Sequence, residues 1–348
     1  MAAFIKGVDQ HADLLRLTAA TAGNDFRLGA AEAPPANISM YLGTKLENLL
    51  KSIAEGHGIE ETEEVRQLLM GSKSLPLLTV DDNDRNRTTP FAFTGYKFEF
   101  RMVGSSQPLG FVNTIINALV TISFRDFARE LEVAEDPMAK AYEIVGRVYQ
   151  QHKRIIFHGN SYTKEWVEEA ARRGLPNLKC MVDAIPEYVA PASVELFEKF
   201  EVFSRSELES RMEIEYEIYA KTLNIEAKAM IDIATKQIIP AVIRYTTVLA
   251  DSINSVKAAC PDIPVSVQTS LLKETSQCLE ETKIAMTKLQ EVTEKAFHME
   301  RGAAQARYYR DEVNEAMVKL REPVDKLEMI VDKAMWPMPS YGDLIFEV

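Results

Sequence analysis

One short run of the sequence contains charged residues that could bind a metal ion or an anion. Lys97-Phe98-Glu99-Phe100-Arg101 alternates strictly between charged and aromatic side chains, which is typical of a β-strand. A strand sends successive side chains to opposite faces, so Phe98 and Phe100 are expected to face a core. Lys97, Glu99 and Arg101 then line the other face, with one carboxylate between two cations.

This row of charges supports two interpretations. In the first, Glu99 binds a divalent metal and Arg101 binds an anionic substrate, because the donor fork of an arginine fits a carboxylate or a phosphate. In the second, the row is an ordinary solvated strand face whose charges pair with one another. The alternation alone favours the second interpretation.

The sequence around the strand resembles a known family. Residues 86–95 read NRTTPFAFTG, and together with the strand they resemble the signature of type III glutamine synthetases. Residues 22–36 read AGNDFRLGAAEAPPA and resemble the GNDHRLGANEAPPA stretch of that family, with the HADLLR run of residues 11–16 leading into it. Further similarity follows in the same order, so that the resemblance extends from end to end of the chain, at residues 159–166, 173–178 and 336–344.

The resemblance implies an activity and its ligands. Glutamine synthetases use ATP to convert the side-chain carboxylate of glutamate to an acyl phosphate, which ammonia then attacks. ATP, glutamate, ammonia and Mg²⁺ or Mn²⁺ are therefore the implied substrates and metals. Glutamine synthetases assemble as rings of subunits, so the resemblance implies that other glutamine synthetase chains are partners in an oligomer.

The resemblance also assigns roles to residues. Glu99 corresponds to a metal ligand, and Arg27 and Arg101 correspond to contacts with the glutamate substrate or its intermediate. Arg87 corresponds to a catalytic residue that stabilises phosphate. Lys97 shares the strand face with Glu99 and is expected to add a phosphate contact.

A sixth residue belongs to a mobile segment of the family. Glu32 matches the acidic residue of the Glu-Ala-Pro flap, which closes over the site and favours loss of a proton from ammonium. Phe26 stands where the family motif has His, Ala31 where it has Asn, and Tyr96 where it has Asn. The first two departures remove groups that form hydrogen bonds near Glu32.

The resemblance covers only part of the family pattern. Family members are about twice this long, and the match is to their carboxy-terminal half. The other half carries a small β-rich domain, glutamate ligands of one metal site and a Lys-His-Asn-Asn segment whose histidine binds the other metal. One carboxylate cannot hold two hard cations, which take about six oxygen ligands each, so we expect little or no activity from this chain alone.

Two functions stay open at this stage. The chain is either a glutamine synthetase, or a fragment of one, that needs the other half for activity, or a catalytically inactive structural or regulatory subunit that assembles with full-length synthetase. A composite site between ring neighbours agrees with the first. The departures at Phe26 and Ala31 agree with the second.

The elements that must position these residues indicate an α+β fold. We expect the carboxy-terminal half of a glutamine synthetase catalytic domain, with an antiparallel sheet and helices, followed by a long α-helical hairpin. We expect the half catalytic domain at residues 1–136 and its short-helix connecting region at residues 137–203. The hairpin is expected at residues 204–325 and a tail at residues 326–348.

The hairpin prediction rests on two long amphipathic patterns. A capping box of Ser206 and Glu209 opens the first, which runs to about residue 259 and is expected to kink at Pro240. The second covers roughly residues 266–321. At 1.5 Å per residue each arm would reach about 75 to 85 Å, typical of a protruding arm or a packing surface.

Composition narrows the class of protein. The 348 residues are 46% hydrophobic and 26% charged, which is ordinary globular usage, and the net charge of -12 argues against a nucleic-acid partner. No apolar stretch reaches the roughly 20 residues that a membrane span needs. The first residues lack a basic segment followed by an apolar core, so a cytoplasmic protein is expected. Three cysteines without metal-ligand spacing indicate structural thiols.

Overall fold

The computed structural model of the chain is mostly helical, and it contains two compact units, Met1–Met212 and Glu213–Val348. No helix among the described residues combines the length and the apolar character that crossing a membrane requires. The structure describes residues 1–30, 33–57, 67–68, 78–79 and 88–346.

The strands of the first unit form one three-stranded sheet, β1-β4-β5, and one separate pair, β2-β3. Strand β4 is antiparallel to β5, but β1 is parallel to β4. The predicted antiparallel sheet is therefore wrong in part: the sheet is mixed, because β1 reaches β4 through a long crossover rather than a hairpin. The strands are β1 (Met40–Tyr41), β2 (Gln67–Leu68), β3 (Leu78–Thr79), β4 (Phe91–Phe93) and β5 (Phe98–Phe100).

Nine helices are described in the first unit before α10 begins. Two 3₁₀ turns, Lys153–Ile155 and Ile185–Tyr188, extend the ends of helices α6 and α8. The helices are α1 (Ala2–Gln10), α2 (Ala12–Leu17), α3 (Ala22–Arg27), α4 (Thr44–Ala54), α5 (Gly110–Glu132), α6 (Pro137–His152), α7 (Lys164–Arg172), α8 (Met181–Ala184) and α9 (Pro191–Lys199).

A tight hairpin turn joins β4 to β5. The amide of Thr94 donates to the carbonyl oxygen of Lys97 at 2.9 Å, which leaves a two-residue loop. Gly95, at φ 91°, takes the first loop position, where such turns require a positive φ that glycine adopts without strain. This turn fixes the register that places Ala92 opposite Glu99.

The apolar face of the sheet packs against α1. The ring of Phe98 stacks on Phe4 at a centroid distance of 4.2 Å and lies 5.4 Å from the ring of Phe91. The ring of Phe100 contacts Phe91 as well, at 5.9 Å. The predicted strand is thus confirmed, and Phe98 and Phe100 face these rings, but both side chains are only half-buried. Lys97, Glu99 and Arg101 are left on the opposite face.

Helix α10 begins at Arg205 in the first unit and continues into the second, whose other helices follow it. Helix α12 packs against both α11 and α14 around buried Val242, Cys278 and Leu327. The helices are α10 (Arg205–Ile233), α11 (Ile239–Ala259), α12 (Ser266–Phe297), α13 (Ala303–Tyr308), α14 (Asn314–Ile330) and α15 (Tyr341–Phe346), with π-helical turns at Ala234–Ile238 and Tyr309–Val313.

The capping box of α10 is shifted by two residues from its predicted place. The hydroxyl and the amide of Ser204 both donate to a carboxylate oxygen of Glu207 at 2.8 Å. In return the amide of Glu207 donates to the Ser204 hydroxyl at 3.4 Å. Ser204 and Glu207 satisfy the same Ser-x-x-Glu spacing as Ser206 and Glu209, and only the direction of the incoming chain distinguishes the two.

The two long arms differ from each other. A π turn, Ala234–Ile238, ends two residues before Pro240, and its wider hydrogen-bond spacing accommodates a residue that lacks an N–H and crowds the preceding turn. The predicted second arm over residues 266–321 is wrong in extent, because α12 ends at Phe297 after 32 residues, about 48 Å. Gly302, at φ 121°, turns the chain into α13.

Candidate active site

Three charged side chains on β5 contact one another. One carboxylate oxygen of Glu99 lies 3.0 Å from the Nζ of Lys97. The other accepts hydrogen bonds from Arg101, from Nη2 at 3.0 Å and from Nε at 3.2 Å. The Glu99 side chain is 34% exposed and that of Arg101 only 14%, so the guanidinium is largely enclosed. This arrangement follows from the two-residue repeat of a strand.

The cations change the titration of Glu99. Its pKa is lowered, chiefly by the hydrogen bond from Lys97 and then by the one from Arg101. The pKa of Lys97 is raised in turn, first through its hydrogen bond to Glu99. The carboxylate therefore stays ionised at pH values below the ordinary range of a glutamate.

Arg27 reaches the end of the same strand. Its Nη1 donates to the carbonyl oxygen of Met102 at 3.1 Å and to the Oδ1 of Asn24 at 3.1 Å. The buried side-chain amide of Asn24 donates through its Nδ2 to the same carbonyl oxygen at 2.9 Å and to the carbonyl oxygen of Ala19 at 2.6 Å. Because Met102 directly follows Arg101, these contacts bring the Arg27 guanidinium to the backbone at the carboxyl end of β5.

Helix α3, which carries Arg27, is fixed at its start and along its length. The Thr21 hydroxyl caps it by accepting a hydrogen bond from the amide of Asn24 at 3.3 Å. Asp25 accepts the amide of Met181, the first residue of α8, at 2.8 Å. Sequence reasoning missed the role of Asn24. The available signal was its place in the Gly-Asn-Asp run, one helical turn before Arg27.

A second polar cluster lies at the β1 edge of the sheet. His158 meets the ring of Tyr41 edge-on at 5.0 Å, and its Nε2 accepts the amide of Leu42 at 3.3 Å. Its Nδ1 therefore donates to Glu47, at 3.1 Å, and this hydrogen bond is the first cause that lowers the pKa of Glu47. The hydroxyl of Tyr149 also donates to Glu47, and burial raises the pKa of Tyr149 to about 12.

The described site residues favour anions over metal ions. Lys97 and Arg101 hold the single carboxylate of Glu99, and Arg27 adds a further cation at the end of the strand, which leaves a net positive charge. Among the described residues no three His, Cys, Asp or Glu side chains converge as a metal site would require. Both oxygens of Glu99 are already held by cations. These residues therefore do not fit a complete divalent-metal site, although Glu99 can supply one oxygen ligand to it.

Known proteins match the chain over nearly all of its length. The glutamine synthetase C-terminal domain family matches residues 140–257. The type-3 glutamine synthetase of Dictyostelium discoideum is 35% identical over 358 residues, which cover 99% of this chain and 48% of that protein. Glutamine synthetases of Butyrivibrio fibrisolvens and Bacteroides fragilis are 34% and 32% identical over 99% and 97% of this chain, and over 49% and 48% of their own lengths.

The chain is thus similar to glutamine synthetases, one of which is named as a type-3 enzyme. It spans about half the length of the curated relatives that it matches, and the domain family that it matches is a carboxy-terminal one. The relatives are named as glutamine synthetases, which form a class of ligases.

The remaining residues predicted from the glutamine synthetase resemblance have different outcomes. Glu32, Arg87 and Ala31 lie outside the described residues. Phe26 is half exposed beside Arg27, and Tyr96 is 85% exposed at the β4-β5 turn, where the Nζ of Lys97 lies 5.6 Å from its ring centroid. The structure thus brings four predicted residues to one strand and its end: Arg27, Lys97, Glu99 and Arg101.

Proposed function

We propose that this chain is the carboxy-terminal part of a glutamine synthetase and supplies the anion-binding side of its active site. The carrying observation is that Lys97 and Arg101 share one face of β5, while Arg27 donates to the carbonyl of Met102 directly after Arg101. The similarity of the whole chain to glutamine synthetases supports this function over the alternative of an inactive structural or regulatory subunit.

The chemistry of the reaction suits these residues. Glutamate carries two carboxylates, and transfer of the γ-phosphoryl group of ATP develops further negative charge at the reacting oxygens. Arg27 and Arg101 would hold the glutamate substrate or its acyl phosphate. Lys97, on the same face, would contact phosphate. Cations that are fixed before substrate arrives stabilise such charge without reorganising.

The other roles rest on the family resemblance. Glu99 would contribute one ligand to Mg²⁺ or Mn²⁺, whose remaining ligands must come from outside the described residues. Arg87 would stabilise phosphate. Glu32 would close over the site as the flap carboxylate and take a proton from ammonium.

The architecture follows the same proposal. Residues 1–136 and 137–203 would form the carboxy-terminal half of the catalytic domain, with the helices of residues 204–325 as its hairpin appendage and 326–348 as a tail. The partners would be other glutamine synthetase chains in a cytoplasmic ring, and the pathway would be glutamine biosynthesis in nitrogen metabolism.

The test is ATP- and Mg²⁺-dependent formation of γ-glutamyl hydroxamate. The purified chain is assayed alone and mixed with a separately expressed amino-terminal half of a relative such as the Dictyostelium protein. We expect activity only in the mixture. Activity of the chain alone would contradict the incomplete metal site, and inactivity of a folded, assembled mixture would favour the structural subunit.

A further inference from the structure

The second unit contains a large apolar cavity that the proposed function does not use. Its volume is about 780 Å³, within the range of small-molecule sites. Helix α10 and the following π turn form one wall, helix α14 forms a second, and the segment before and into α15 forms the third. The apolar lining includes Met230, Ile233, Leu320, Val324 and Trp336.

The floor of this cavity is rigid, whereas its rim is adaptable. Ile238 and Val331 are buried members of the core cluster of the unit, and Trp336 packs against that cluster. Met329 and Met338 lie at the mouth and are 85% and 40% exposed. Unbranched methionines adjust to ligands of different shapes, so the cavity combines a fixed apolar base with a compliant entrance.

The polar groups at the rim pair with one another, with one exception. Arg321 donates to Asp325 at 3.2 Å, and Lys333 contacts Asp343 at 2.7 Å. The Ser340 hydroxyl donates to Asp343 at 2.7 Å. Glu328 also lines the cavity, but among the described residues it has neither a hydrogen bond nor an ion pair. After pairing, one carboxylate remains at the entrance.

The indole of Trp336 adds no polar demand to this site. Its Nε1 is buried without a hydrogen-bond partner and has almost no accessible surface, so the N–H does not face the open cavity. The indole therefore contributes carbon surface to the cavity lining. Aromatic rings and unpaired carboxylates both attract cations, and the lining contains both Trp336 and Glu328.

We propose that this cavity binds amphiphilic cations, molecules with an aromatic or branched apolar body and an ammonium group that lies near Glu328. The apolar body would occupy the space between α10 and α14, where transfer from water supplies most of the affinity. The single carboxylate would decide between ligands of the same shape but different charge.

The test uses three probes of matched shape: phenylbutylamine, phenylbutanol and phenylbutyrate. Fluorescence of Trp336 reports binding, because the other tryptophan of the chain, Trp166, is buried in the first unit and stacked on Phe157 at 3.7 Å. We expect saturable binding with a Kd on the order of 1 mM for the amine. The amine should bind roughly two- to fivefold more tightly than the alcohol, as an exposed ion pair allows, and the acid should bind least.

Two variants and a matched control locate the site. Glu328→Gln changes only an exposed side chain and should remove the preference for the amine while leaving binding of the alcohol unchanged. Val324→Phe fills the cavity from α14 and should abolish binding of all three probes. Val318→Phe makes the same change on the same helix, at a half-exposed position outside the cavity, and should leave binding unaltered.

Several results would overturn the proposal. These are absence of saturable binding by every probe, an amine preference that survives Glu328→Gln, and an equal loss of binding in Val324→Phe and Val318→Phe. A fourth is self-association of the chain that Val324→Phe abolishes, which would assign the cavity to the exposed Leu344, Ile345 and Phe346 of a second copy. None of these measurements depends on glutamine synthetase activity.

Discussion

The carboxylate of Glu99 lies between Lys97 and Arg101, and this position determines how it titrates and what it can bind. A carboxylate that two cations already hold attracts a metal ion only when further oxygen ligands arrive with it. We propose that the same cations attract the carboxylate and phosphate groups of substrates. At the scale of single residues, this half of the site is built for anions.

The lowered pKa of Glu99 yields a direct prediction. Lys97→Gln should raise the pKa of Glu99 toward the ordinary value, because the hydrogen bond from Lys97 is the largest cause of the shift. Because the folded-state pKa is depressed, the stabilisation is present above the ordinary glutamate pKa and is lost as pH falls through the lowered value. Titration of the Glu99 carboxyl carbon by NMR measures both values. An unchanged pKa in Lys97→Gln would contradict the account.

The residues of the strand were predictable and their surroundings were not. Alternation indicates which side chains share a face, so Lys97, Glu99 and Arg101 could be grouped from sequence alone. Alternation gives no sign that Asn24 and Arg27 meet at the carbonyl of Met102, because that contact joins distant segments. The family resemblance assigns a role to Arg27, but only the structure shows that Arg27 lies at the end of the strand.

At the scale of elements, a helix start can be ambiguous in sequence and definite in structure. Residues 204–209 contain two overlapping Ser-x-x-Glu patterns, and the hydrogen bonds select the pair Ser204 and Glu207. Similarly, the amphipathic pattern of residues 266–321 continues through the break after Phe297, because Gly302 interrupts the backbone without interrupting the spacing of apolar residues.

The capping assignment predicts a difference between two serines. Ser204→Ala should lower the free energy of unfolding by about 1 kcal/mol, since it removes the acceptor for the amide of Glu207. Ser206→Ala, two residues along, should change it by less than about 0.5 kcal/mol. Urea denaturation of both variants measures the difference. A larger loss of unfolding free energy in Ser206→Ala than in Ser204→Ala would instead identify Ser206 as the N-cap.

Close packing of α1 on α5 predicts a sensitive glycine. A Cβ on Gly7 would lie 2.6 Å from the carbonyl oxygen of Leu119, a backbone atom that cannot move without shifting α5. Gly7→Ala should therefore destabilise the chain by about 1 to 3 kcal/mol. Gly23→Ala, in α3 with no atom near the added Cβ, is the matched control and should cost nothing or stabilise slightly. Equal melting temperatures for the two variants would contradict this packing.

At the scale of the whole molecule, the chain matches about half of each relative. Correspondingly, its described site residues include the cations of the candidate site but no complete set of metal ligands. Composition and length could not reveal this, because the chain has the ordinary composition of a globular protein. Family resemblance could reveal it, since the matched motifs include the strand of Glu99 and omit the histidine segment. The parallel pairing of β1 with β4 could not be predicted, because register across a long crossover leaves no local pattern.

The central claim is that this chain supplies the anion-binding side of a glutamine synthetase site. Formation of γ-glutamyl hydroxamate by the mixture of this chain with an amino-terminal half tests it when Arg101→Gln is compared with the control Arg205→Gln, which alters only an exposed ion pair with Glu209 on α10. We expect Arg101→Gln to lower the rate by about 100-fold or more, while the control retains the rate of the unaltered chain. Equal rates for the two variants would contradict it.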